Sequence, residues 1–175
     1  MGIDETDTFI EIMPKETLSR IYNLNDYIKI IESDNISSVQ KINIEIIDLL
    51  KSLGFNLEME GTYLLADVIM AAYIFLHNAV ANGVDYDLYY SYLQRLMKSP
   101  YSQFYFDLAR NEHAMGTTTM HNRINSAYLE RKKEHINKNI EYEIFGYKNN
   151  GDIYDHSLEM AKYLYEKDEL KSKKK

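Results

Sequence analysis

From about Thr62 to Asn82 the chain is apolar on most faces of a helix, through Leu64, Leu65, Val68, Ile69, Ala72, Tyr73, Leu76 and Val80, and it closes at Gly83. A surface helix needs only one apolar stripe, whereas a helix apolar nearly all round must be surrounded. This segment therefore predicts the central helix of a bundle, and the flanking sequence has to supply the helices that cover it. A bilayer is the other home for such a helix. Tyr63–Val80 is interrupted by Asp67, His77 and Asn78, and no unbroken run of about 18 apolar residues exists, so no membrane partner is expected.

The flanks supply that cover. Pro14 suits a first helical turn, and Leu18, Ile21, Tyr22, Tyr27, Ile28 and Ile31 follow at loose helical spacing, with a break near Asn23–Asn25. Ser37 or Ser38 can cap a second helix carrying Val39, Ile42, Ile46, Leu49, Leu50 and Leu53, which Gly54 stops. Beyond the central helix, Asp85 or Asp87 can cap a helix on Leu88, Tyr89, Tyr92, Leu93 and Leu96 that ends before Pro100. Two shorter helices are expected between Ser102 and His113 and around Met120–Arg131. Ile136–Gly151 reads as less regular with a turn at Asn150-Gly151, and a last helix spans Asp152 to about Leu170. No alternating pattern of any length appears. The fold class expected is all-α, a compact multi-helix bundle containing a helix-turn-helix. Residues 1–36 form an acidic helical extension, 37–170 the helix-turn-helix domain, and 171–175 a basic disordered tail.

Several chemistries lack their residues. Cysteine is absent, so there is no disulfide framework, thiolate metal site or cysteine nucleophile, and a reducing cytoplasm is the expected setting. The five histidines, His77, His113, His121, His135 and His156, include no i, i+4 pair and no His-Glu-x-x-His; His77 is expected at a core edge and the others on polar faces. Asp85-x-Asp87 lacks the glycine and distal glutamate of a calcium loop. There is no Gly-x-Ser-x-Gly elbow, and the seven glycines are scattered singly rather than forming a phosphate-cradling loop. Neither catalysis, a metal nor a cofactor is expected. An N-terminal secretory pattern is also lacking.

Charge is divided unevenly. Residues 1–94 hold 15 acids and 5 Lys/Arg, a net charge of −10, while residues 95–175 hold 12 acids and 15 Lys/Arg, a net charge of +3. Four of the five arginines fall within 95–138. A confined basic region on an acidic protein is what a local phosphate-contacting face requires.

That region coincides with the two-helix unit Tyr101–Lys133. A helix-turn-helix pairs a short first helix with a second that has one apolar face and, opposite it, side chains able to reach base edges. Gly116 lies in the turn, and Thr117-Thr118-Thr119 can cap the second helix. Met120, Ile124, Ala127 and Tyr128 supply its apolar face, leaving Thr118, Thr119, His121, Asn122 and Asn125 outward as base-reading candidates. Asparagine can make a bidentate contact to adenine, and threonine offers a hydroxyl and a methyl. Thr117, Arg123, Arg131, Lys132 and Lys133, with Lys98 and Arg110 before the turn, are the phosphate-contacting candidates. An ordinary helical hairpin with a solvated polar face would carry the same pattern.

The segment from about Ile42 to Leu170 resembles the C-terminal effector domain of the sporulation stage-zero response regulator family of endospore-forming bacteria. The stretch Leu50-Lys-Ser-Leu-Gly-Phe-Asn-Leu-Glu-Met-Glu-Gly-Thr-Tyr-Leu-Leu65 keeps the family's two glycines, Gly54 and Gly61. The two-helix unit follows at the expected distance, then Ile144-Phe-Gly-Tyr147, then a closing helix over Ser157–Leu164. The resemblance implies a six-helix DNA-binding domain that reads the major groove with the second helix of its motif and pairs with a neighbour on DNA. Thr118, Thr119, His121, Asn122 and Asn125 are then the reading residues. The chain departs from the family where Thr119, Asn122 and Asn125 stand in place of arginines, and where Glu58, Glu60 and Ala66 replace more basic or neutral types. Each missing arginine fork removes a guanine contact of about 1–3 kcal/mol. Only some 40 residues precede the match, too few for the family's receiver domain of about 120, so phosphorylation of a receiver aspartate is not expected.

Two functions follow as expectations. One is a sequence-specific transcriptional regulator that binds double-stranded DNA, as a homodimer where two half-sites are present, without catalysis. The other is a protein-interaction module on the same fold, such as a phage- or mobile-element-encoded inhibitor of a host nucleic-acid enzyme, acting through the acidic N-terminal half.

Overall fold

A computed structural model describes residues 21, 23–33, 37–146 and 152–173, and among these it contains eight α-helices and no strand. In chain order they are α1 (Leu24–Ile31), α2 (Ser38–Ser52), α3 (Glu60–Ala81), α4 (Tyr86–Lys98), α5 (Gln103–Asp107), α6 (Thr117–Leu129), α7 (Lys138–Phe145) and α8 (Ile153–Lys173). The chain is all-α, as expected. The predicted start at Pro14 and Leu18, Tyr22, the Asn150-Gly151 turn, Tyr147 and the last two lysines lie outside the described residues.

Helix α3 is the axis. Every residue from Gly61 to Leu76 is buried, and α2, α4, α6 and α8 all pack on it. By length and composition alone α3 could cross a bilayer, although Asp67, His77 and Asn78 interrupt its apolar run; 78% of its most apolar stretch is buried inside the bundle. Asp67, the charged interruption, is itself only 5% exposed and is bonded to His113. Around α3 the core takes Ile46, Leu50 and Leu53 from α2 and its end, Tyr89, Leu93 and Met97 from α4, and Phe104 and Tyr105 from α5. It also takes Met120, Ile124 and Ala127 from α6, and Leu158, Ala161 and Leu164 from α8. Each leucine, isoleucine, methionine or phenylalanine among them contributes roughly 1.5–3 kcal/mol on full burial.

The helix ends follow local chemistry. Ser37 caps α2 in a capping box with Gln40, Asn23 caps α1 through Asp26 N–H, and Asp85 caps α4 through Leu88 N–H. Gly83 takes the left-handed conformation after α3. The extension does not stand apart: Ile21 and Tyr27 are buried against the bundle, and Tyr27 Oη donates to Asp48 of α2. Two expectations are corrected. Residues 138–145, read as irregular, form α7, capped by Asn137. And α8 continues through Lys173, so residues 171–173 are helix rather than tail.

Candidate nucleic-acid interface

Helix α6 is held by its crossing with α3. Gly61 of α3 faces the backbone of α6 so closely that a Cβ there would stand 1.9 Å from the carbonyl oxygen of Arg123 and 3.0 Å from Cβ of Ala127. Beyond α6 the chain is stitched to the end of α2: Lys132 N–H donates to Gly54 O at 3.0 Å and Asn137 N–H to Ser52 O at 2.7 Å. Gly54 has φ +87, and a side chain there would meet Lys132 O at 2.7 Å. Both glycines that carried the family resemblance are therefore docking points for α6 and the chain that follows it.

The approach to α6 is irregular. Helix α5 continues into a π turn over Leu108–Glu112, and Ala114 then adopts φ +50, a left-handed conformation that non-glycine residues seldom take. Met115 N–H closes the connector on Ala109 O at 2.9 Å, and His113 Nε2 lies 2.6 Å from Asp67 Oδ2, tying the connector to α3. Gly116, with no side-chain cap, is the N-cap of α6. The three threonines therefore occupy the first turn of the helix and do not cap it.

On α6, Thr118, Asn122 and Asn125 are exposed and fall at i, i+4 and i+7, one stripe of the helix, with Thr119 beside them and Thr117 half-buried. His121 is not part of that face. It is 7% exposed; its Nε2–H donates to Pro100 O at 2.6 Å, and its Nδ1 accepts from Tyr154 Oη. Its ring packs edge-on against Tyr105 and Tyr154. Burial holds its pKa below the usual histidine range, partly offset by the Pro100 carbonyl. The expectation that His121 reads bases is corrected: the side chain joins α6 to α8 and to the end of α4. His113 and His156 are likewise inside rather than on polar faces.

The basic candidates divide into three situations. Lys132 and Lys133 are exposed just past α6. Arg123 is exposed but ion-paired, Nη1 to Glu60 Oε1 at 2.6 Å. Arg131 is half-buried, its guanidinium 4.2 Å over the Tyr128 ring and 5.5 Å from that of Phe55, with Nε donating to Tyr128 O. Its present work is packing, which corrects its reading as a free phosphate contact. Arg110 lies over Phe106 at 5.5 Å. Lys98 shares a separate cleft with Asp155 and Glu159 between α4 and α8, so it is not brought together with Lys132 and Lys133.

Two residues of this surface were missed in sequence. Leu129 is 80% exposed at the end of the Thr118–Asn122–Asn125 stripe, and Ser126 is exposed beside it. The seven-residue step that places Asn125 after Thr118 also places Leu129 after Asn122, so helical spacing held the signal. Among the described residues no group of three or more His, Cys, Asp or Glu side chains is placed to hold a metal ion. The chain matches no family model, no curated protein and no solved structure.

Proposed function

We propose that the chain is a sequence-specific DNA-binding transcriptional regulator of the sporulation effector type, with α5 and α6 as its helix-turn-helix and no catalytic role. One observation carries the reading: α6 is fixed to the bundle on one side and presents an uncharged polar stripe, Thr118, Asn122 and Asn125, on the other. Exposed Lys132 and Lys133 follow at its exit. Amide and hydroxyl side chains on a rigid helix can read base edges, while flanking lysines hold the phosphates. Gly54 and Gly61 support the family likeness, since each sits where only glycine fits against α6 and its exit.

Selection from a randomised duplex pool tests this. Enrichment of one motif is expected, with affinity falling steeply as salt rises. Asn122→Ala should change the preferred base at one position at a cost of about 1–3 kcal/mol, and Lys132→Ala should weaken every site and lower the salt slope by about one. No binding to any duplex at low salt overturns the proposal.

The Arg123–Glu60 ion pair favours a second reading, the interaction module. An arginine already neutralised adds little to a DNA face, and the half of the chain before residue 95 is acidic. Such a module would occupy the basic channel of a nucleic-acid enzyme by charge complementarity. Recovery of nucleic acid alone in a pull-down from host lysate would count against it.

A further inference from the structure

Below the exit of α6 lies a cleft of about 410 Å³, within the size range of small-molecule sites. Its walls come from three separate stretches of chain: Leu24 of α1, Lys51, Phe55 and Leu57 from the end of α2 and the connector after it, and Lys132 and His135 after α6. Leu24, Phe55 and Leu57 are its apolar lining residues and Lys51, Lys132 and His135 its basic ones, and among the described residues none of these three is in an ion pair.

Lys51 and Lys132 line one concavity, and an anion bound between two like charges relieves the repulsion between them. Lysine is well suited to phosphate as a compact point charge. A phosphomonoester carries about −1.5 to −2 at neutral pH, matching two lysines where a carboxylate offers a single charge. The apolar wall of Leu24, Phe55 and Leu57 has no use for a bare ion or for a backbone phosphate of a duplex, but it can cover a hydrocarbon or aromatic body. The geometry points to a binding site for a small phosphomonoester with an apolar or aromatic body. Because Leu24 belongs to the segment preceding the effector-like domain, that segment completes the site. The cleft lies apart from the outward stripe of α6 and shares only Lys132 with the proposed DNA face, so Lys51→Ala is the variant that separates this site from DNA binding.

Calorimetric and NMR titrations of the full chain, without DNA, test this with phenyl phosphate, inorganic phosphate and phenol as probes. Phenyl phosphate is expected to bind saturably at one site, about tenfold or more tighter than inorganic phosphate, with no binding of phenol. Lys51→Ala and Lys132→Ala should each weaken it about tenfold, while Lys41→Ala, on the exposed side of α2, leaves it unchanged; thermal melts establish that each variant is folded. Failure of phenyl phosphate to saturate, or unchanged affinity in both lysine variants, overturns the proposal. So does a short DNA duplex that shifts the resonances of Leu24, Lys51 and Leu57 when phenyl phosphate does not, since the cleft would then belong to the DNA backbone.

Discussion

Replacing Gly61 with alanine tests how α6 is held. The added methyl carbon would stand 1.9 Å from the carbonyl oxygen of Arg123. Carbon–oxygen contacts between packed helices settle at about 3.3–3.6 Å, so α3 and α6 have to part by about 1.5 Å along that line. Overpacking a core by small groups costs about 1–3 kcal/mol, and the upper end applies because the obstacle is backbone rather than a side chain that can turn aside. Alanine recovers at most about 1 kcal/mol of helix propensity, and less here because Gly61 is the second residue of α3. The expected loss is about 2–3 kcal/mol. For a chain of this size that lowers Tm by about 4–12 °C, read by circular dichroism, with an unchanged urea m-value. Adding Ala127→Gly should not restore stability, since it removes the milder of the two clashes. Parent-like stability in Gly61→Ala, or full rescue by Ala127→Gly, would refute the backbone-contact account.

Three other perturbations follow from the same geometry. His156 is 4% exposed, its ring centroid is 4.4 Å from that of Phe145, and among the described residues its Nε2 has no hydrogen-bond partner; burial first, then the charge of Arg131, depresses its pKa. The unfolded imidazole takes up its proton near about pH 6.5 while the folded one resists, so this residue's contribution to stability is intact above that pH and is lost as pH falls below it. The unfolding free energy of His156→Phe should therefore rise relative to the parent between about pH 7.5 and about pH 5.5; a gap that does not change with pH contradicts this. Tyr154→Phe strands the buried Nδ1 of His121 and should cost about 1–3 kcal/mol in urea unfolding at neutral pH; unchanged stability would mean the bond to His121 adds nothing. Glu60→Gln should alter stability by less than about 1 kcal/mol, since the pair is exposed, while freeing Arg123 and raising both DNA affinity and its salt dependence; if neither rises, Arg123 lies away from the duplex.

The legible parts of this fold were those whose signals are local. Ser37, Asp85 and Gly83 mark helix ends through their own side chains or lack of one, and the all-round apolarity of α3 is visible without knowing its neighbours. What stayed hidden depended on partners distant in sequence. His121 was assigned to the polar face by residue type, yet it stands three residues before Ile124 and seven before Tyr128, on the inward side of the turn. Only Tyr154 and the Pro100 carbonyl make a buried imidazole affordable there. Arg131 was misread only partly for that reason: Phe55 lies far back in the chain, but the nearer ring, Tyr128, stands three residues before it and was a local signal. Helix α7 escaped because none of its residues is buried, so it has no strong apolar stripe and its one clear signal is the Asn137 cap. The cleft beside Lys51 joins three stretches that no short motif spans.

The α3–α6 crossing also bears on how such a protein changes over generations. Gly61, Ile124 and Ala127 pack at the crossing, while Thr118, Asn122 and Asn125 are exposed on the other side of the helix. Scaffold and outward text thus occupy one helix without sharing a residue. On the proposed reading of α6 as the recognition helix, mutations in that outward face would alter the target while leaving stability untouched, and a lineage carrying this helix would drift to a new target without passing through an unfolded intermediate.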